Sequence, residues 1–280
     1  MGLRITTLSE NTAGTGDLLA EWGLSILVET GRENILFDTG KTISASYNTD
    51  SLEIDLNQID KIVLSHGHYD HTGGLRQILR QMGKEVEVIV HPDVWAPKYR
   101  RRKGKKDKYI GIPYQHQELE SLGANFTLTT EPIKVADNIM TTGEVPMVTD
   151  YEAIDSALFV KEDAGWKPDK LLDDLALIIN TKPGLVVVLG CAHRGMINTL
   201  YHAQQLTGVK AIHAVLGGAH LISASKERIR RTIADLKELG VQKLGLCHCT
   251  SLPAISLLAQ EFGDEFFFNI TGTIFELNKE

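Results

Sequence analysis

Apolar positions along the chain follow two periods, and the switches between them predict the elements. Residues 3–8 alternate weakly and read as a strand; residues 24–29 and 34–37 are β-rich and joined through Gly31-Arg32, a hairpin pattern. Residues 10–16 between them are polar and glycine-rich but lack phosphate-loop spacing, and read as a connection. After the apolar run Ile62-Val63-Leu64, the period becomes helical: Leu75, Ile78, Leu79 and Met82 recur at i, i+3, i+4 and i+7. Thr72 is the expected cap of that helix and Gly83 its stop. Residues 86–90 form the next strand, ending at His91-Pro92, and residues 175–180 and 185–189 pair across the turn Lys182-Pro183-Gly184. A helix then carries Met196, Ile197, Leu200 and Tyr201 on one face, and residues 214–216 form a strand. A helix with Ile229, Ile233 and Leu236 inward stops at Gly240, and a strand covers residues 244–246. Ser251 and Pro253 open a final helix, and residues 266–270 are the last expected strand.

Composition narrows the class. A length of 280 residues allows one large domain or two small ones, and 42% hydrophobic with 23% charged residues is ordinary for a globular chain with a substantial core. The net charge of -7 argues against non-specific nucleic-acid binding. Met1-Gly2-Leu3-Arg4 has no signal-peptide apolar region, and no apolar run approaches the roughly 20 residues that span a bilayer. Three cysteines do not suggest a disulfide framework. The expectation is a cytoplasmic enzyme acting on a small molecule, with no nucleic-acid or membrane partner. One run departs from the acidic background: Arg100-Arg101-Arg102-Lys103-Gly104-Lys105-Lys106-Asp107-Lys108. It reads either as a solvated, mobile loop or as an anion-facing flap in which Arg101, Arg102 and Lys103 bind substrate. The aromatics Trp95, Tyr99, Tyr109 and Tyr114 around it fit a lid over a flat ring and fit ordinary packing equally well.

The chemistry concentrates in Ser65-His66-Gly67-His68-Tyr69-Asp70-His71, on a loop between the buried strand and the amphipathic helix. Imidazole nitrogen and carboxylate oxygen are the usual ligands of zinc and related divalent metals, so His66, His68, Asp70 and His71 are candidate ligands. The order strand, histidine loop, helix recurs at His193, His220 and His248. Strands that all deliver histidines at one end imply a shared site at one edge of a packed sheet pair. If the strand before it persists, alternation places His248 opposite Cys247 and Cys249. A thiolate zinc site built from those three would lack the second ligand pair that structural zinc sites use. His91 reads as a hydrogen-bonded strand-end histidine or, alternatively, a ligand; His202 and His213 read as solvated or structural. His193 is the expected ligand in its loop, with Cys191 packed beside it as a small, partly buried thiol. Asp174, at the start of the paired strand, can supply a carboxylate to the same edge.

The motif His66-x-His68-x-Asp70-His71 resembles the signature of the metallo-β-lactamase superfamily, and Leu36-Phe37-Asp38-Thr39-Gly40 resembles its first motif. The phrases Gly190-Cys191-Ala192-His193, Gly217-Gly218-Ala219-His220-Leu221, His248-Cys249-Thr250 and Thr142-Gly143-Glu144-Val145-Pro146 are similar to the dihydropterin-synthase-like subgroup. Glu21-Trp22-Gly23-Leu24-Ser25 also fits, although the subgroup more often has histidine where Trp22 stands. The resemblance implies an α/β (α+β) fold, a four-layer αββα sandwich, as a single domain over 1–280 with a basic loop insertion at about 93–112. It implies two divalent metal ions, zinc or else manganese or iron, held by His66, His68 and His193 and by Asp70, His71 and His248. Asp38 would stand behind the ligands as a structural residue. Glyoxalase-type members carry a metal-bridging aspartate where Cys191 stands here. The leading expectation is a metal-dependent hydrolase whose water is lowered from a pKa of ~15.7 toward 7, with His220 protonating a leaving group or binding an anion. A His220 that instead donates to a backbone carbonyl is the structural alternative. A synthase joining a dihydropterin to an aminobenzene ribofuranosyl phosphate, and a metal-binding sensor without turnover, are the other readings.

Overall fold

The computed structural model describes residues 2–277, so Met1, where the reading of the N-terminus begins, lies outside the described residues. The chain divides into two compact units, one of residues 2–129, 156–173 and 270–277 and one of residues 130–155 and 174–269.

The first unit is built on a seven-stranded sheet in the order Ile274–Leu277, Leu3–Ser9, Ser25–Glu29, Asn34–Phe37, Lys61–Val63, Val86–Val90 and Ala124–Leu128. The first four strands pair antiparallel, with a tight turn only between Ser25–Glu29 and Asn34–Phe37; the last four run parallel. Parallel neighbours need a crossover, and Leu75–Met82 provides one between Lys61–Val63 and Val86–Val90. That helix buries Leu75, Ile78, Leu79 and Met82 against strand residues Ile62, Val86, Val88 and Val90. Gly83 closes it in the left-handed conformation at φ 56°, as its sequence position predicts. The start differs from expectation: Gly74 precedes the helix, and Thr72 belongs to a separate short helix, Tyr69–Thr72, where its hydroxyl donates to His68 O.

Three features of this unit depart from the sequence pattern. Helix Ser44–Ser51 has no apolar stripe to announce it, because its inward face is polar: Asn48 donates to the carbonyls of Leu8 and Leu19 and accepts from Leu19 N. The basic run is not a free loop. It forms the tip of a hairpin, Lys98–Arg100 with Lys108–Tyr109, inside a four-stranded antiparallel sheet completed by Leu158–Glu162 and Gly165–Pro168. The last strand is Ile274–Leu277, paired with Leu3–Thr6, whereas residues 266–270 make only an isolated bridge at Phe266.

The second unit has a six-stranded sheet in the order Lys243–Cys247, Ile212–Gly218, Gly184–Leu189, Ala176–Thr181, Ile139–Thr141 and Lys134–Ala136. The first three strands are parallel, and Ala176–Thr181 pairs with Gly184–Leu189 as the predicted hairpin. Helices Met196–Thr207, Lys226–Glu238 and Leu252–Phe262 bury Ile197, Leu200, Ile229, Ile233 and Leu258 in one core with Leu185, Val187, Val215 and Leu244. Tyr201 is not on the buried face, as its spacing suggested; Ala203 and Gln204 are.

Candidate metal-binding residues

In the first unit the histidine loop leaves the C-terminal end of a parallel strand, where open α/β sheets place their sites. Two buried carboxylates hold it from below. Asp38, fully buried and at φ 60°, accepts Ser65 N and Ser65 Oγ at 2.7 Å each and His71 Nδ1 at 2.6 Å. The short distance fixes Nδ1–H as the donor, which leaves Nε2 as the basic nitrogen of His71. Asp173 accepts Gly67 N at 2.7 Å, and its other oxygen takes the Lys98 ammonium at 2.9 Å. Lys98 is itself buried and also reaches Asp169 at 3.0 Å. Burial works against the charged Lys98, yet the two carboxylates outweigh it and hold its ammonium above the ordinary lysine range. Burial, with the like charge of Asp173, pushes the Asp169 carboxyl up despite Lys98, because one cation is shared between two anions. Gly67 is required here: a Cβ would stand 2.4 Å from Val94 O. Gly74 is required likewise, because a Cβ would stand 1.9 Å from Thr39 O, where the loop carrying Asp38 crosses the motif.

This clamp brings three buried imidazoles together. The His66 ring lies 4.5 Å from that of His68 and 4.3 Å from that of His71, centroid to centroid. His66 Nε2 and His68 Nδ1 stand 3.0 Å apart. That is the distance of a hydrogen bond between the two imidazoles; two nitrogens sharing one tetrahedral zinc at ~2.0–2.1 Å would stand roughly 3.3 Å apart, so a small separation of the rings would admit a divalent ion. Asp70 is half-buried, and its Oδ2 accepts the Trp22 indole N–H at 2.8 Å.

In the second unit the donors again follow strand ends. One ligand atom each of Cys191, His193 and His220 lie within 4.8 Å of one another, and so do those of Cys191, His248 and Cys249. The His193 and His220 rings are 4.0 Å apart. Ala192, His220 and His248 have φ of 49°, 42° and 52°, a conformation that costs a residue with a side chain about 1–2 kcal/mol. Strain of this kind clusters where side chains must be aimed. His248 opens a short 3-10 turn directly after strand Lys243–Cys247, so the strand alternation expected for Cys247, His248 and Cys249 stops there. Cys247 instead accepts from Asn269 Nδ2. Burial would push the Cys249 thiol up, but hydrogen bonds with Cys191 and His220 and the nearby imidazole of His248 hold it well below its ordinary value.

Cys191 is fully buried, not partly, because the loop folds its sulfur in among these donors. Asp174 is buried and accepts Arg194 N at 2.8 Å, bracing the loop that carries His193. No carbonyl accepts from a His220 ring nitrogen among the described residues, so the structural alternative for it is not what the fold builds. His91 Nδ1 caps the turn Pro92–Trp95 by accepting Asp93 N, His202 bonds Thr142 O, and His213 bonds Gln242 Oε1. Of the three basic residues expected to meet substrate, Arg101 is committed internally. It contacts Asp107 at 3.1 Å, and its guanidinium lies 4.1 Å from the Trp166 ring centroid. Arg102 and Lys103 are exposed. Sequence reasoning does not find Lys98, Asp169 or Asp173, because no local pattern joins residues 71 or more positions apart.

Comparison with known proteins places the chain in a family. Residues 23–196 match the model of the metallo-β-lactamase superfamily. The chain is 33% identical over 281 residues to the 7,8-dihydropterin-6-methyl-4-(β-D-ribofuranosyl)-aminobenzene-5'-phosphate synthase of Methanocaldococcus jannaschii, covering 94% of this chain and 93% of that protein. It is 31% identical to an uncharacterized protein of the same organism, covering 91% of this chain and 94% of that one. A solved metal-dependent hydrolase of the β-lactamase superfamily superposes with a TM-score of 0.86 at 28% identity, covering 99% of this chain and all of that one. Its fold is therefore the metallo-β-lactamase sandwich, and this chain belongs to the metallo-β-lactamase superfamily.

Proposed function

We propose that this chain is a metal-dependent enzyme that displaces a phosphate-type leaving group from a small anionic substrate, with an aromatic amine as acceptor in the leading reaction. The 3.0 Å approach of His66 Nε2 and His68 Nδ1 supports the metal. The near-full-length similarity to a synthase supports the acceptor. His66, His68, Asp70 and His71 in the first unit and His193 and His248 in the second would supply the metal ligands, with zinc best suited to an imidazole-rich set and manganese and iron as alternatives. Bound ions would neutralise charge developing on the departing pyrophosphate. Asp38 keeps His71 in the tautomer whose Nε2 is basic. As the acceptor nitrogen bonds to carbon and the carbon–oxygen bond to pyrophosphate breaks, the acceptor loses a proton, and the His220 imidazole would take it. Asp174 would brace the loop of His193 by accepting Arg194 N.

A hydrolase in which water replaces the amine is the second reading, favoured by the likeness to a metal-dependent hydrolase at TM-score 0.86. The test uses metal-reconstituted protein, a pyrophosphate-activated dihydropterin, and an aminobenzene acceptor supplied or withheld. Pyrophosphate release that requires the acceptor supports the synthase, and release without it supports the hydrolase. Release that survives complete chelation of metal rejects both, and no release under any condition leaves a metal-binding protein without turnover.

A further inference from the structure

The donor loop of the first unit is bordered by a tyrosine and two lysines that are not among the candidate metal ligands. Tyr69 sits between His68 and Asp70 and is half-buried. The ammonium groups of Lys41 and Lys108 lie over its ring, 6.0 and 5.1 Å from the centroid, and Lys108 Nζ is 3.4 Å from the Tyr69 hydroxyl. Among the described residues neither lysine is paired with a carboxylate. Two ammonium groups 6.0 and 5.1 Å from one ring centroid and without a carboxylate partner are available to meet an anion.

The backbone fixes this arrangement. Tyr69 N donates to Ile110 O, tying the basic hairpin to the donor loop. Gly23 packs against both Lys41 N and Asp70 O, since a Cβ there would stand 2.8 and 2.7 Å from them. Trp22, the preceding residue, donates its indole N–H to Asp70 Oδ2 and still leaves 41% of its surface in solvent. An exposed aromatic face beside two unpaired cations matches a ligand that is flat at one end and anionic at the other.

We propose that Trp22, Lys41, Tyr69 and Lys108 form a binding subsite for an aromatic ring bearing a phosphate, the ring against the indole and the phosphate between the two ammonium groups. This deepens the function proposed above by naming the cations that receive the substrate's anion. The hairpin contributes through Lys108, at its base, and not through Arg101.

Calorimetric titration of the full chain, metal-loaded and chelator-treated, with phenyl phosphate, phenol and inorganic phosphate tests it. Phenyl phosphate should bind about tenfold tighter than either fragment in both preparations. Joint replacement Lys41→Met and Lys108→Met should weaken phenyl phosphate by about tenfold, leaving phenol binding and metal content unchanged. Trp22→Ala should weaken both aromatic probes, whereas Trp22→Phe should retain them. The exposed change Lys108→Met alone serves as the variant least able to disturb folding. Phenyl phosphate binding that vanishes on chelation, or that is unaltered in the lysine and Trp22→Ala variants, overturns the subsite. Failure of the metal reading would appear separately, as protein that takes up no metal while phenyl phosphate still binds.

Discussion

The Asp173 carboxylate accepts the backbone N–H of Gly67, the residue between His66 and His68, at 2.7 Å. The same carboxylate holds the buried Lys98 ammonium, so the two histidines hang from an ion triad and not only from their own strand. Asp173→Ala should cost about 3–5 kcal/mol, the usual penalty for breaking a buried pair from one side. Asp173→Asn keeps an acceptor for Gly67 and should retain more metal than the alanine variant. Denaturant unfolding and metal analysis check the order; equal metal affinities in both variants would remove Asp173 from any role in positioning the ligands.

Lys98 sets an alkaline limit on stability. Its folded pKa is raised above the ordinary 10.5, so its pairing stabilises the fold fully below that value and is lost as pH rises through the folded value. Unfolding curves should show wild type losing stability above pH ~10.5 more steeply than Lys98→Met, which starts lower by about 3–5 kcal/mol. Parallel pH profiles for the two proteins would contradict this.

Asp38 orients His71 by accepting its Nδ1–H. Asp38→Asn can no longer serve Ser65 N, Ser65 Oγ and His71 Nδ1 with two carboxylate oxygens. Metal affinity should fall by about 10–100-fold, the range for partners that sit behind a metal-binding histidine. Competition against a coloured chelator measures it, and wild-type affinity in the variant would refute the assignment.

His193 and Cys191 share one loop and one donor cluster. A catalytic site favours nitrogen and oxygen ligands. His193→Ala should therefore lose metal, while Cys191→Ser should keep most of it. Metal loss in Cys191→Ser alone would make the thiol the ligand.

The basic hairpin divides into two roles. Arg101 stacks on Trp166 and pairs with Asp107, so Arg101→Ala should destabilise by about 1 kcal/mol. Arg102 and Lys103 are exposed, and their joint replacement by alanine should leave stability within about 0.5 kcal/mol while raising KM for anionic substrates severalfold. An unchanged KM would leave anion recognition to Lys41 and Lys108.

What the chain determines locally, it displays locally. The candidate ligands His66, His68, Asp70 and His71 stand within six positions, and the helix behind them shows its apolar face in four residues spaced by its own turn. The hairpin of Ser25–Glu29 with Asn34–Phe37 needs only a short turn between two strand-forming runs. The tertiary structure decided what depends on residues far apart. Residues 266–270 are as strand-like in composition as Ile274–Leu277, but only the latter meets the open edge of Leu3–Thr6, so pairing is set by the partner. Ser44–Ser51 has no periodic signal because its buried face is satisfied by hydrogen bonds from Asn48 and not by apolar contact. Lys98, Asp169 and Asp173 carry no mark of burial in the sequence, since a charge is tolerated inside only when opposite charges meet it there, and that meeting exists only in the folded chain.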